Sequence, residues 1–201
     1  MSFNGNGLLP DTLIAHYAEN EGMIMPYIRP MVREGGVISY GTEGYAYDPR
    51  LAPVLQVYKQ NRSGEGPIDP KHVDTSFMME MRAQPDTNQL IIPPHGFALG
   101  HTIEHFSIPE DIEVICIGKS TYARVGLIVN VTPINPGFNG QVVIELSNTT
   151  NFPLIVYAHE GICQFLFIKG VRTPGNGYQG RYQDQSGITL PPVLTTVNQS
   201  E

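Results

Sequence analysis

The hydrophobic positions change their period once along this chain. Between Asp11 and Asn20 the apolar residues Leu13, Ile14 and Tyr17 fall at helical spacing, with Asp11 placed to cap the start and Gly22 to end the run. From residue 35 onward the apolar residues come in short β-rich runs. The pattern predicts strands at Val37–Tyr40, Ala52–Tyr58, Thr75–Met81, Gln89–Ile92, Phe97–His105, Glu113–Gly118, Leu127–Val131, Gln141–Asn148, Leu154–Ala158 and Gly161–Ile168. Gly-Pro, Pro-Pro, Asn-Pro-Gly and Pro-Gly-Asn-Gly punctuate them. No long helical pattern alternates with these strands, which argues against a parallel α/β sheet. A mainly β fold is expected, an antiparallel barrel or jelly roll with a short N-terminal helix. No fixed-period repeat is present.

Two segments break the pattern. Residues Tyr58–Asp74 are polar and rich in Gly and Pro, and read as a loop. The tail from Gly170 to Glu201 is polar and Gly-rich, with few residues able to build a core. It reads either as a disordered end or as an arm that orders over a site or a neighbouring subunit. The expected organisation is a barrel domain over residues 1–170 and a C-terminal arm over 171–201.

Composition narrows the function. At 41 % hydrophobic residues the chain is ordinary globular protein, and its 21 Gly and 17 Pro suit many short strands joined by turns. The net charge of −7 argues against nucleic acid as a partner, so any phosphate site must be a local cluster. Cys116 and Cys163 lie inside apolar runs and read as buried free thiols of a reducing compartment. No run resembles a signal peptide and no apolar stretch nears about 18 residues, so a cytoplasmic protein without membrane contact is expected.

The candidate chemistry lies between residues 118 and 148. Lys119, Ser120, Thr121 and Arg124 place two cations and two hydroxyls within six residues, at a bend between strand-like runs. That set suits phosphates, although the Gly-x-x-x-x-Gly-Lys spacing of a P-loop is absent. Glu145 stands alone in Val142-Val143-Ile144-Glu145-Leu146. Desolvation there raises a carboxyl pKa, which suits a group that takes and returns protons near neutral pH. The same spacing also fits an outward-facing residue of an alternating strand. No Cys-x-x-Cys motif is present. His101 and His105 fall on a strand, where four residues span about 13 Å, too far to close a zinc site. There is no Gly-x-Ser-x-Gly elbow and no Cys–His pair placed for nucleophilic catalysis.

Longer blocks carry a resemblance. Gly118-Lys-Ser-Thr-Tyr-Ala-Arg-Val-Gly-Leu-Ile-Val-Asn-Val-Thr-Pro-Ile-Asn-Pro-Gly-Phe-Asn-Gly, continuing to Ile144-Glu-Leu-Ser-Asn-Thr-Thr, closely resembles the dCTP deaminase family of the dUTPase-like superfamily. Val37-Ile-Ser-Tyr-Gly with Gly44-Tyr-Ala-Tyr-Asp-Pro-Arg, Ile91-Ile-Pro-Pro-His-Gly-Phe-Ala-Leu-Gly, Glu160-Gly-Ile-Cys-Gln-Phe-Leu-Phe and Arg181-Tyr-Gln-Asp-Gln-Ser-Gly-Ile-Thr-Leu-Pro extend it over most of the chain. The resemblance implies a distorted dUTPase-like β-barrel assembled as a homotrimer, with sites at subunit interfaces. It implies hydrolytic deamination of dCTP to dUTP and ammonia, without zinc, and with magnesium bound through the triphosphate.

By the same resemblance Glu145 is the general acid/base, assisted by Ser120 and Arg124. The stretch Lys119, Ser120, Thr121, Tyr122, Ala123 and Arg124 is the phosphate-binding segment. Asn135, Val143, Ile144, Gln164, Tyr178, Arg181 and Gln185 take the remaining nucleotide-binding positions, for dCTP, dUTP or dTTP. No residue is assigned to a metal. Two departures stand out: Arg172-Thr-Pro-Gly-Asn-Gly-Tyr178 is shorter than the family's stretch, and Asn135 replaces an acidic residue of many relatives. Two alternatives stay open: a bifunctional relative, or dUTPase, that cleaves the triphosphate to dUMP, and a non-catalytic nucleotide-binding trimer.

Overall fold

The computed structural model describes residues 5–60 and 66–190. The chain starts with β1 (Gly7–Leu8), helix α1 (Asp11–Glu21) and β2 (Ile24–Met25). Five strands follow: β3 (Gly41–Glu43), β4 (Ala46–Asp48), β5 (Val54–Tyr58), β6 (Met78–Arg82) and β7 (Gln89–Ile92). Next come the long β8 (Phe97–Ser107), β9 (Ile112–Gly118), the one-turn helix α2 (Ser120–Ala123) and β10 (Leu127–Asn130). The last strands are β11 (Asn139–Asn148), β12 (Leu154–Tyr157) and β13 (Cys163–Lys169).

Every strand pairing between these elements is antiparallel. One sheet runs β1-β13-β4-β3, with β9 also on β13. A second runs β10-β11-β8-β5-β6, with β2 on β8, and β12 pairs β7. The core between them is built on Tyr47, Phe106, Phe165 and Phe167, each fully buried. Strand β11 shows the rule that builds it. Val142, Ile144, Leu146 and Asn148 face inward, whereas Gln141, Val143, Glu145 and Ser147 occupy the other face.

Several expectations need correction. Asp11 does not cap α1: Pro10 holds the cap position with extended backbone, and Asp11 opens the first turn, its Oδ1 accepting from Thr12 N at 2.8 Å. Val37–Tyr40 joins no sheet beyond a bridge between Val32 and Tyr40, because its polar backbone is satisfied elsewhere. Ile38 N donates to Glu160 Oε2 at 2.6 Å, and Gly161 N donates to Ile38 O at 3.1 Å. Thr75–Phe77 forms a single 3₁₀ turn capped by Asp74, whose Oδ1 accepts from Ser76 N at 2.8 Å. The short strands β1 to β4 carried too few residues to show a period.

The tail divides. Residues 171–190 form an arm that lies against Pro136–Gln141: Tyr178 N donates to Pro136 O at 3.1 Å and Gln141 N donates to Gln185 O at 2.9 Å. Residues 191–201 lie outside the described residues. Cys163 is buried and Cys116 half-buried, both as free thiols. Among the described residues no helix is long and apolar enough to cross a membrane.

Candidate active site

Two concavities hold most of the residues singled out in the sequence. The first is a cleft of about 250 Å³ between the outer face of β11, the loop Val131–Asn135 and the arm. Val143 and Glu145 of β11 line it together with Asn135 and Phe138, and the arm contributes Tyr178, Tyr182 and Gln185. Register explains why Glu145 is there. Glu145 lies opposite Asn130 in the β10–β11 hairpin and opposite Leu99 on β8, so neither neighbour supplies a cation. Burial pushes its carboxyl above the ordinary glutamate range; its own backbone N–H and the Asn130 amide, 3.5 Å from Oε2, draw it partway back. A bulge between Gln141 and Val143 re-aims the strand just before Glu145. Thr102 Oγ1 and the Thr102 and Ile103 carbonyls bind the backbone and side chain there.

The second concavity is an open shelf of about 540 Å³ lined by Lys119, Ser120, Thr121 and Gln164, with Arg33 and Ser39 facing them. Helix α2 makes the bend that the sequence places here. Ala123 N donates to Lys119 O at 2.9 Å and Arg124 N to Ser120 O at 3.2 Å, turning the chain within one helical turn. The Ser39 side of the shelf is pinned by Gly161, where a Cβ would lie 2.0 Å from Ser39 O. No side chain fits at that position without moving the loop.

The predicted residues therefore fall into separate groups. Asn135, Val143, Glu145, Tyr178 and Gln185 share the cleft; Lys119, Ser120, Thr121 and Gln164 share the shelf. Ala123, Arg124 and Arg181 are exposed and line neither. Tyr122 and Ile144 point into the core, at 2 % and 0 % exposure, so only their backbone can face a ligand. Tyr122 Oη instead accepts from Tyr157 N at 3.1 Å.

Lys119 also has a partner that the sequence does not show. It is buried and ion-paired with Asp48 of β4, a fully buried carboxylate. Burial raises the Asp48 carboxyl, and Lys119 then Gln164 pull it down again. The lysine thus fixes the shelf to the core. Lys119→Ala leaves that charge buried without its partner, which costs about 3–5 kcal/mol. Thermal unfolding should show a drop of several degrees; an unchanged midpoint would show that the pair is not structural.

Arg33, Asp48 and Asn130 escaped the sequence reading. Arg33 sits in an irregular segment, and Asp48 reaches Lys119 only through the pairing of β4 and β9 with β13. Asn130 was accessible in principle, from the register of the β10–β11 hairpin.

The family model described as dCTP deaminase-like matches residues 8–170. The chain belongs to the dCTP deaminase-like family. The dCTP deaminase of Gluconobacter oxydans is 47 % identical over 188 residues, covering 92 % of this chain and 98 % of that protein. The dCTP deaminase of Acidiphilium cryptum is 46 % identical over 187 residues, again covering 92 % and 98 %. The crystal structure of 2'-deoxycytidine 5'-triphosphate deaminase from Agrobacterium tumefaciens matches with a TM-score of 0.59 at 18 % identity. That match covers 82 % of this chain but 47 % of the other, so the chain spans about half its length. It shows a shared mainly β fold, in keeping with the expected architecture.

Proposed function

We propose that this chain is a dCTP deaminase, converting dCTP and water to dUTP and ammonia. The observation that carries the reading is Glu145: a half-buried carboxylate of raised pKa lining a largely apolar cleft, with no cation lining it among the described residues. Relatives 46–47 % identical over nearly their whole length are dCTP deaminases.

The ionised Glu145 takes a proton from water as the water oxygen bonds to C4 of cytosine. It passes that proton to ring nitrogen N3, then takes the remaining proton from the C4 hydroxyl and gives it to the amino group, so that the C4–N bond breaks, ammonia leaves and C4 becomes a carbonyl. Ser120 and Arg124 orient the water and stabilise charge developing on the ring. Position and exclusion of bulk water supply the activation. Magnesium arrives as part of the triphosphate substrate, and zinc takes no part. His101 Nδ1 lies 2.9 Å from the Thr102 carbonyl and His105 Nε2 2.9 Å from Asn139 Oδ1, so both imidazoles are engaged within the sheet. Loss of cytosine absorbance matched by equimolar ammonia tests the reaction class; consumption of dCTP without ammonia would overturn it.

The site is shared between subunits of a homotrimer in this reading. Within one chain Glu145 and Ser120 line different concavities, whereas one nucleotide must meet both. Ile115 and Ile117 on β9 and Ile128 on the adjacent β10 are exposed, as residues of an apolar contact surface would be in a lone chain. The mass in solution should be three times 22.2 kDa. Mixing the inactive variants Glu145→Gln and Ser120→Ala, with exchange of subunits, should restore about a quarter of wild-type activity by random assortment. A mixture as inactive as its parts would place both residues in one chain's site.

A further inference from the structure

The Asn139 side chain is bonded at both ends at the junction of barrel and arm. Its Oδ1 accepts from Ser107 Oγ at 2.7 Å and lies 2.9 Å from His105 Nε2, both on β8. Its Nδ2 donates to Asp184 Oδ1 at 2.6 Å. Its backbone joins in: Asp184 N donates to Asn139 O at 2.7 Å, and Asn139 N donates to Gln183 Oε1 at 3.2 Å. The amide has one workable orientation, because the reverse one would set its oxygen against the Asp184 carboxylate.

The consequence falls on the next residue. Asp184 has φ of 58°, in the left-handed region that few non-glycine residues enter. Held there by Asn139, it turns the chain so that Gln185 runs parallel to Gly140. The fit is close: a Cβ on Gly140 would lie 2.9 Å from Gln185 O. Gln185 Nε2 then donates to Gln141 O at 2.7 Å, while its Oε1 is buried with no partner among the described residues, and Gln185 lines the cleft. Tyr182 reaches the same cleft from the other side of Asp184.

We propose that Asn139 and Asp184 form a latch that fixes the register of the arm and so positions Gln185 and Tyr182 against the nucleotide. Asn139 is a positioning residue, six residues along β11 from the catalytic carboxylate. This rests on the cleft being the nucleotide site. One register is productive: slipping the arm by a residue removes Gln185 from the cleft and breaks the bonds to Gln141.

An exchange of charge tests the latch. Asn139→Asp puts two carboxylates face to face and is expected to raise KM for dCTP about tenfold or more, the loss of one charge-assisted hydrogen bond. Asp184→Asn alone keeps an acceptor for Asn139 and should stay near wild type. In the double variant N139D/D184N the amide at 184 donates to the carboxylate at 139, and KM should return to within about threefold of wild type. Trypsin cleavage after Arg181 gives a second readout that needs no turnover: faster in N139D, slow again in the double variant. Unfolding midpoints identify a variant that fails to fold. An unchanged KM and cleavage rate in N139D, or a loss that the double variant leaves unrepaired, would overturn the latch. If wild type neither binds nor converts dCTP, the nucleotide reading falls instead, and the cleavage rates alone decide the latch.

Discussion

Glu145→Gln is expected to reduce deamination by about 10³-fold or more while dCTP still binds. Glutamine keeps the volume and one acceptor of the side chain but cannot remove a proton from water. Loss of the carboxylate from an otherwise intact cleft therefore separates chemistry from binding: kcat should collapse with Kd for dCTP nearly unchanged. The pH profile supplies the sign. Burial raises the Glu145 pKa, and the active form is the ionised one. Activity is therefore complete above the raised pKa and lost as pH falls through it. The acid limb of kcat/KM should lie above the ordinary glutamate value of about 4.3. Turnover by E145Q within tenfold of wild type, or an acid limb at the ordinary value with no limb above it, would remove Glu145 from the role.

Deleting residues 175–201 is the second large effect. The arm supplies Tyr178, Tyr182 and Gln185 to the cleft, and Tyr178 packs against Phe138 with ring centroids 5.8 Å apart. Without it the base site loses a wall and opens to water, so kcat/KM for dCTP should fall by about 100-fold or more. The barrel should survive, because its last strand ends at Lys169 and the main core draws on Phe106, Phe165 and Phe167. The truncated chain should thus unfold cooperatively, with a modest loss from Ile188 and Leu190, which pack on the smaller cluster around Phe77 and Leu99. A folded truncated protein as active as the full chain would show that the arm plays no part at the site.

What the sequence revealed, and what it did not, follows from where the information resides. Gln89–Ile92 was legible to the residue, and the long strands β8 and β11 were legible within two, because one buried face imposes alternation. Val37–Tyr40 looked equally strand-like, yet its backbone bonds go to the Glu160 side chain and Gly161, partners more than a hundred residues away. Residues of the cleft were nameable from the family's blocks, but their grouping was not. Lys119 read as a phosphate cation because sequence shows its charge and not Asp48, which only the pairing through β13 brings to it. The Asn139–Asp184 contact is of the same kind, since no local period joins a strand start to a polar arm 45 residues on.

The most direct test of the central claim is the identity of the nucleotide product. The full chain, in zinc-free buffer with magnesium and dCTP, is run to completion and the nucleotides are separated by ion-exchange chromatography, with ammonia measured in parallel. The account predicts dUTP as the product, one ammonia for each dCTP lost, and no dependence on added zinc. Accumulation of dUMP with pyrophosphate would show a bifunctional enzyme. Recovery of unchanged dCTP, or activity only on addition of zinc, would contradict the account.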